Sequence, residues 1–221
     1  MAIALDFNKA KSQVVSILQA SRTAYATAID GSKRQFASDT EIADAILYSD
    51  GEYCEAICLT PGHPFSNAFL LTSSALTTGT GVGVAVPSHI GRIVNVTHCS
   101  TSGGTYLKSI VAKSDYDVLE MISNATNYGT AAYLLEYYFI EDTTLYAVDA
   151  FSKIQYTDYV RTASPQAPEP LATGVVAGAV ARLAKDGGDQ ELAGYYAQMH
   201  GGYLQSVRQG AKILPAIVTY K

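Results

Sequence analysis

The sequence has no tryptophan, three cysteines, seven prolines and only 16% charged residues over its 221 positions. Each shortage excludes something. Three cysteines do not make the disulfide framework of a small secreted module. Cys54 and Cys58 stand four apart in a helical pattern, where packing suits them better than a bridge. Free thiols in a reducing cytoplasm are therefore expected. Met1 to Asn8 hold neither a basic stretch nor a long apolar run, so no secretory signal is expected. No apolar run reaches the roughly 18 residues of a membrane span. With 18 Gly and 7 Pro the chain is not collagen-like, and at 48% hydrophobic it is not disordered. Basic residues are also short. Fifteen Lys and Arg against 20 Asp and Glu leave a formal charge of −5, where a dedicated nucleic-acid binder shows a basic surplus.

Ala, Gly, Ser, Thr and 16 Tyr fill the space that charge leaves. An ordinary soluble domain carries about 25% charge. Tyr joins a large apolar area to one hydroxyl, which suits half-buried strands or a face that another subunit covers. Together these features favour an oligomer.

Along the chain, Phe7 to Ile29 reads as a helix, or a helix with a break, with Val14, Val15, Ile17, Leu18 and Tyr25 on its stripe. Ser38-Asp39-Thr40-Glu41 is a capping box that opens a second helix. Ile42, Ala45, Ile46, Tyr53, Ala56 and Ile57 share its apolar face, and Pro61 to Pro64 stops it. Gly51 weakens its middle by about 1 kcal/mol. From Ser66 to Arg161 the texture is β. Short strands are expected over 68–72, 90–98, 105–111, 132–140, 144–148 and 153–160, with Tyr159 on the last. A hairpin turns at Thr101 to Gly104, and a short helix is expected from Ser114 to Ser123. Pro165, Pro168 and Pro170 mark a linker over 163–170. Two helices follow. On Leu171 to Lys185, Val175, Val176, Ala179, Val180 and Leu183 make one face, while Gly174, Gly178, Ala177 and Ala181 permit close helix approach. Glu191 to Lys212 carries Leu192, Tyr195, Tyr196, Met199, Tyr203 and Val207 near one stripe.

The resulting fold class is α+β. A helical bundle built from the N- and C-terminal helices carries an inserted antiparallel β part. The chain reads as a single domain: helices over 1–64, β insertion over 65–162, linker over 163–170, helices over 171–212 and an arm over 213–221.

The chemistry-bearing residues converge on nothing. Cys54, Cys58 and His63, with His98-Cys99, have a helical spacing and not that of a zinc turn, so buried cysteine is expected and no metal is assigned. Gly79 to Gly83 lacks the dinucleotide spacing and a following Lys-Ser/Thr, so it reads as a flexible loop. There is no G-x-S-x-G motif. None of His63, His89, His98 and His200 sits beside a carboxylate-and-nucleophile pattern. Glu136, Glu141 and Asp142 read as a solvated turn. No catalytic residue, cofactor or enzymatic activity is assigned. Lys9, Lys11, Arg22, Lys33 and Arg34 give a modest basic bias without forming a stripe.

Four stretches together carry a family resemblance. They are the capped helix Ser38 to Leu59 with its proline stop, and the lead-in Val86-Pro87-Ser88-His89-Ile90-Gly91-Arg92-Ile93-Val94. The others are the late hairpin Tyr137 to Tyr146 with Ile154 to Tyr159, and the closing helices with Leu183-Ala184-Lys185-Asp186-Gly187 and Tyr195-Tyr196-Ala197. In this order they resemble the head-to-tail connector, or neck adaptor, proteins of tailed bacteriophages. The loop over 77–83 and the segment over 163–170 have no counterpart in that pattern.

The resemblance implies a structural protein of the virion neck, made in the host cytoplasm. It implies a homo-oligomeric ring of about twelve copies on the portal protein, with a tail or nozzle protein beyond. DNA would pass through without specific binding, and no membrane is involved. The arm would dock on the portal through Ile213, Leu214, Pro215, Ile217, Val218 and Tyr220, an apolar strand-like piece suited to β-augmentation. With −5 per copy, an acidic channel wall would repel the phosphate backbone. Asp39, Glu41, Asp44, Asp186, Asp189 and Glu191, on polar faces or ends of helices, are the candidate lumen acids. Alternatives are another neck, tail-completion or capsid-associated protein, and a soluble ligand-binding module or enzyme.

Overall fold

The structure, a computed structural model, describes residues 4–25, 37–78, 83–86, 92–99, 101, 103–105, 107–112, 137–141, 143–147 and 150–210. The chain folds as two compact units, divided between Ala68 and Phe69 and again between Asp158 and Tyr159. Helices from both ends of the sequence build one unit and the strands build the other, so the fold is α+β.

The helical unit contains α1 (Phe7–Tyr25), α2 (Asp39–Leu59), α3 (Ala172–Asp186) and α4 (Gln190–Arg208). Side-chain caps start three of them. The Asp6 carboxylate accepts from the Lys9 amide at 3.1 Å, and Asp189 from the Leu192 amide at 3.0 Å. At α2 the capping box is complete: Glu41 N donates to Ser38 Oγ at 3.3 Å and Ser38 N donates to Glu41 Oε2 at 2.8 Å. Thr60 closes α2 by donating its hydroxyl to the Ala56 carbonyl at 2.7 Å, before Pro61 and Pro64 forbid further turns.

The expected apolar face of α2 is buried. So are Ser49, Asp50, Gly51, Cys54 and Cys58, so burial wraps much of the helix's middle. The cause is position: α2 packs against α1, α3 and α4. Helix α3 comes close because it is lined with small residues. A Cβ at Gly174 would run into the Tyr53 hydroxyl, and one at Gly178 would meet Ser49 Oγ and stand 2.6 Å from His200 Nδ1. These contacts, with the Arg182 guanidinium 4.0 Å over the Tyr48 ring, fix α2 and α3 as antiparallel.

Three expectations need correction in this unit. The segment over 163–170 is no free linker. Pro165, Ala167 and Pro168 are buried, Leu5 N donates to Ala167 O at 3.0 Å, and Ala4 bridges Pro168. Its prolines instead shape an extended strap that two neighbouring segments hold. Tyr159 is not on a strand: the last strand ends at Thr157, and the Tyr159 ring packs on Gly51 of α2. On α4 the buried line is Ala193, Leu204 and Val207. Tyr195 faces solvent at 61% exposure, edge-on to Tyr196. Either of two adjacent tyrosines fits an apolar stripe, and only packing chooses between them.

The β unit contains β1 (Leu70–Thr72), β2 (Leu76–Thr77), β3 (Val84–Ala85), β4 (Arg92–Cys99), β5 (Leu107–Ala112), β6 (Tyr137–Glu141), β7 (Thr144–Ala147) and β8 (Phe151–Thr157). The strands run in the order β1-β8-β4-β5-β6-β7-β3, with β2 also on β8. Pairing is antiparallel except between β5 and β6. That parallel pair is joined through residues 113–136, a connection long enough for the crossover it needs. The expected hairpins are present as β4–β5, with an irregularity between Val96 and His98, and as β6–β7. Val96, Leu145, Ala147 and Ile154 form the fully buried centre. Alternation along β8 buries Ser152 and Ile154 on one face. The helix expected from Ser114 to Ser123 and the loop residues 79–82 lie outside the described residues, as does His89.

Candidate functional site

Among its described residues the helical unit offers an acidic end, a groove at the other end, and two polar braces between them, one buried and one half-buried. Because α2 and α3 are antiparallel and joined in register at Ser49–Gly178 and Tyr48–Arg182, the start of α2 lies beside the end of α3. The tight turn at Gly187 and Gly188 brings the start of α4 to that same end. Asp39, Glu41, Asp44, Asp186, Asp189 and Glu191 thereby belong to one end of the bundle. Two of them are occupied as caps: Glu41 in the capping box and Asp189 at the start of α4. Asp39, Asp44, Asp186 and Glu191 are exposed.

At the opposite end a groove of about 420 Å³ runs along the last turns of α2. Tyr48, Glu52, Glu55 and Leu59 line it at helical spacing, with Thr60, Pro61 and Arg208 closing the end. Its two apolar ends are open to solvent: Tyr48 is 44% and Leu59 60% exposed. It carries carboxylates and a guanidinium on its walls.

Two braces lie between these ends. Asp50 has no exposed surface, and its carboxylate accepts from the amides of Gln166 at 3.0 Å and Ala167 at 2.8 Å. The Cys54 thiol donates to it at 3.7 Å. Burial pushes the Asp50 carboxyl above its ordinary range, and these hydrogen bonds, with one from Tyr159, pull it partly back. Burial also raises the Cys54 thiol and the Tyr159 hydroxyl, so neither is an activated group.

The second brace is centred on His200. Its Nε2 lies 3.3 Å from Glu52 Oε2, and its Nδ1 lies 3.3 Å from both the Gly174 carbonyl and the Tyr53 hydroxyl. Tyr53 Oη donates to the His200 carbonyl at 3.2 Å. The Glu52 hydrogen bond, outweighing burial, raises the His200 pKa above its usual value.

Sequence reading assigned neither Asp50 nor His200 a role. The signal was present. Asp50 is four residues from both Ile46 and Cys54, so it stands on the apolar stripe, where a carboxylate must find donors. The cysteines are buried as expected, and Cys54, Cys58 and Cys99 form no disulfide. Cys54, Cys58 and His63 belong to the helical unit, and His98 and Cys99 to the β unit. Among the described residues no group of three or more His, Cys, Asp or Glu is placed to hold a metal, and no helix is long and apolar enough to cross a membrane. The arm residues Ile213, Leu214, Pro215, Ile217, Val218 and Tyr220 lie outside the described residues. No protein-family model and no curated protein matches the chain.

Proposed function

We propose that this chain is a structural protein of a phage virion. In this reading it is a head-to-tail adaptor that forms a ring beneath the portal, extends the DNA channel and receives the tail. The observation that carries the reading is that exposed Asp39, Asp44, Asp186 and Glu191 lie at one end of a helical bundle. Repeated around a ring, that end would present a continuous acidic wall. Such a wall repels phosphate, so DNA slides past it without being held. The exposed apolar side chains Tyr195 at 61% and Leu59 at 60% supply surface that neighbouring subunits would cover.

In this reading the partners are other copies of the chain, a portal protein and a tail or nozzle protein. DNA is a passenger, and no cofactor takes part. Native mass spectrometry of the purified chain mixed with its portal tests the assignment. A portal-bound ring of about twelve copies is expected, and a monomer that ignores the portal would remove it. A three- or six-based ring would point to a tail-completion protein instead. Removing residues 213–221 should leave the fold intact and abolish portal binding, as read by circular dichroism and the same mass measurement.

A further inference from the structure

We propose that the lead-in to α1 and its first turn, residues 4–9, are a latch that keeps the strap shut, and that latch and strap open together as one local unit. The joint is Ala167. It has no exposed surface, and both of its backbone groups are engaged. Its amide donates to Asp50 Oδ1 at 2.8 Å, and its carbonyl accepts from Leu5 N at 3.0 Å. Ala4 bridges Pro168 beside it. Two residues on, Glu169 holds the same segment with both oxygens. Its Oε2 accepts from the Asp6 amide at 3.3 Å, and its Oε1 lies 3.4 Å from Lys9 Nζ. The strap is thus gripped by the Asp50 carboxylate of α2 and by residues 4–9, and Ala167 belongs to both grips.

The two grips are unequal. Asp50 is buried, and so are its hydrogen bonds to the strap. The latch lies at the surface: Asp6 is exposed, and the Lys9 and Glu169 side chains keep 61% and 37% exposure, so their ion pair is screened and weak by itself. Its helix is also lightly seated. Among the described side chains of α1 only Ala10 and Val14 are buried, whereas α3 buries Val175, Val176, Ala179 and Val180 along one face. Few buried apolar contacts and exposed hydrogen bonds mark a segment that opens without global unfolding. Once residues 4–9 lift, the strap keeps only Asp50, a charge that burial penalises, and its release follows. The strap is part of the connection from the β unit, which ends at Asp158, into α3, so the latch governs how much slack that connection has. None of this depends on the adaptor reading.

Cys54 reports the opening. Its thiol shares Asp50 Oδ2 with the Gln166 amide. It has no exposed surface and burial raises its pKa, so it is inert while the strap is shut. Cys58, two turns beyond Asp50 on the same helix, and Cys99 in the β unit are also buried and serve as references. The folded full-length chain is treated with excess N-ethylmaleimide for increasing times, then quenched and digested, and the label on each cysteine is measured by mass spectrometry. Cys54 should react much faster than Cys58 and Cys99. Glu169→Ala, which removes both contacts of that side chain with residues 4–9, should raise the Cys54 rate several-fold and leave the other two unchanged. Glu169→Gln keeps an acceptor for the Asp6 amide and should fall between the native chain and Glu169→Ala. A Cys54 that reacts no faster than Cys58 would show that the strap opens only when α2 does, and would overturn the proposal. So would an unchanged Cys54 rate in Glu169→Ala, or an equal acceleration of Cys54 and Cys58.

Discussion

The helical unit and the β unit bury polar groups in different ways. In the helical unit the partners are ionisable and remote in sequence: buried Asp50 holds the amides of Gln166 and Ala167, and half-buried His200 joins Glu52, Tyr53 and Gly174. In the β unit, beside a buried His98, hydroxyls patch the ladder around β8. Ser152 and Thr78 share a hydrogen bond of 2.9 Å, Ser73 Oγ accepts from Ile154 N at 3.0 Å, and Thr157 donates to Arg92 O at 3.4 Å. A ladder already satisfies most backbone groups, so neutral hydroxyls suffice at its gaps. A strap such as 163–168 has no ladder, and a carboxylate with several acceptor sites substitutes for one. The helical unit should accordingly respond strongly to loss of a charged brace, and the β unit weakly to loss of a hydroxyl.

The sharpest way to break this contrast is Asp50→Ala. It orphans two inward amides, each worth about 1–3 kcal/mol, and should release the strap. Asp50→Asn keeps an acceptor and should cost far less. Ser152→Ala, the matching change in the β unit, should cost about 1 kcal/mol. Chemical denaturation of the three variants measures the order, and equal losses for Asp50→Ala and Ser152→Ala would erase the distinction.

A second pair tests packing inside the helical unit. Gly178→Ala drives a methyl into Ser49 and to 2.6 Å of His200, and overpacking of that kind typically costs roughly 1–3 kcal/mol. Gly51→Ala meets Tyr159 at an ordinary 3.5 Å and removes a helix-weakening glycine, so it should stabilise by up to about 1 kcal/mol. Thermal melts should move in opposite directions. A shared sign would mean that the close approach of α3 is not what Gly178 serves.

These glycines mark how far the sequence could be read. Gly174 and Gly178 announced close approach because small residues repeated along one helix face. Ser38 and Glu41 announced α2 because a capping box is local. Strand order was not legible: β8 lies between β1 and β4, and such pairing depends on residues 52 to 87 positions apart, which no local pattern encodes. The strap was misjudged because proline content reports missing donors and says nothing of burial. The acids at the end of the bundle were nominated from polar helix ends, yet Glu41 and Asp189 are committed to capping. Helix ends attract acids for that reason as readily as for function. Asp50 and His200 were passed over because a polar residue on an apolar stripe acquires a role only when its distant partner is known.

The smallest expected effect concerns pH, and two histidines of the helical unit set its shape. His200 has a raised pKa, chiefly from Glu52, with the Gly174 carbonyl assisting and burial and Arg208 opposing. A raised pKa means the folded state holds the proton more tightly. The resulting stability is fully present below the ordinary histidine value of 6.5 and is lost as pH rises through the raised value. His63 is buried with its Nδ1 accepting from Phe65 N at 3.3 Å, and burial lowers its pKa. Its folded state resists protonation, so stability falls as pH drops from 6.5 through the lowered value. The two slopes meet, and their combined contribution peaks near pH 6.5. Glu52→Gln weakens the Nε2 interaction and should flatten only the alkaline side, leaving the acid shoulder of His63 in place. Melting curves from pH 5 to 9 for the native chain and this variant read the difference directly. A Glu52→Gln chain with an unchanged alkaline slope would show that His200 braces the bundle through packing and not through its charge.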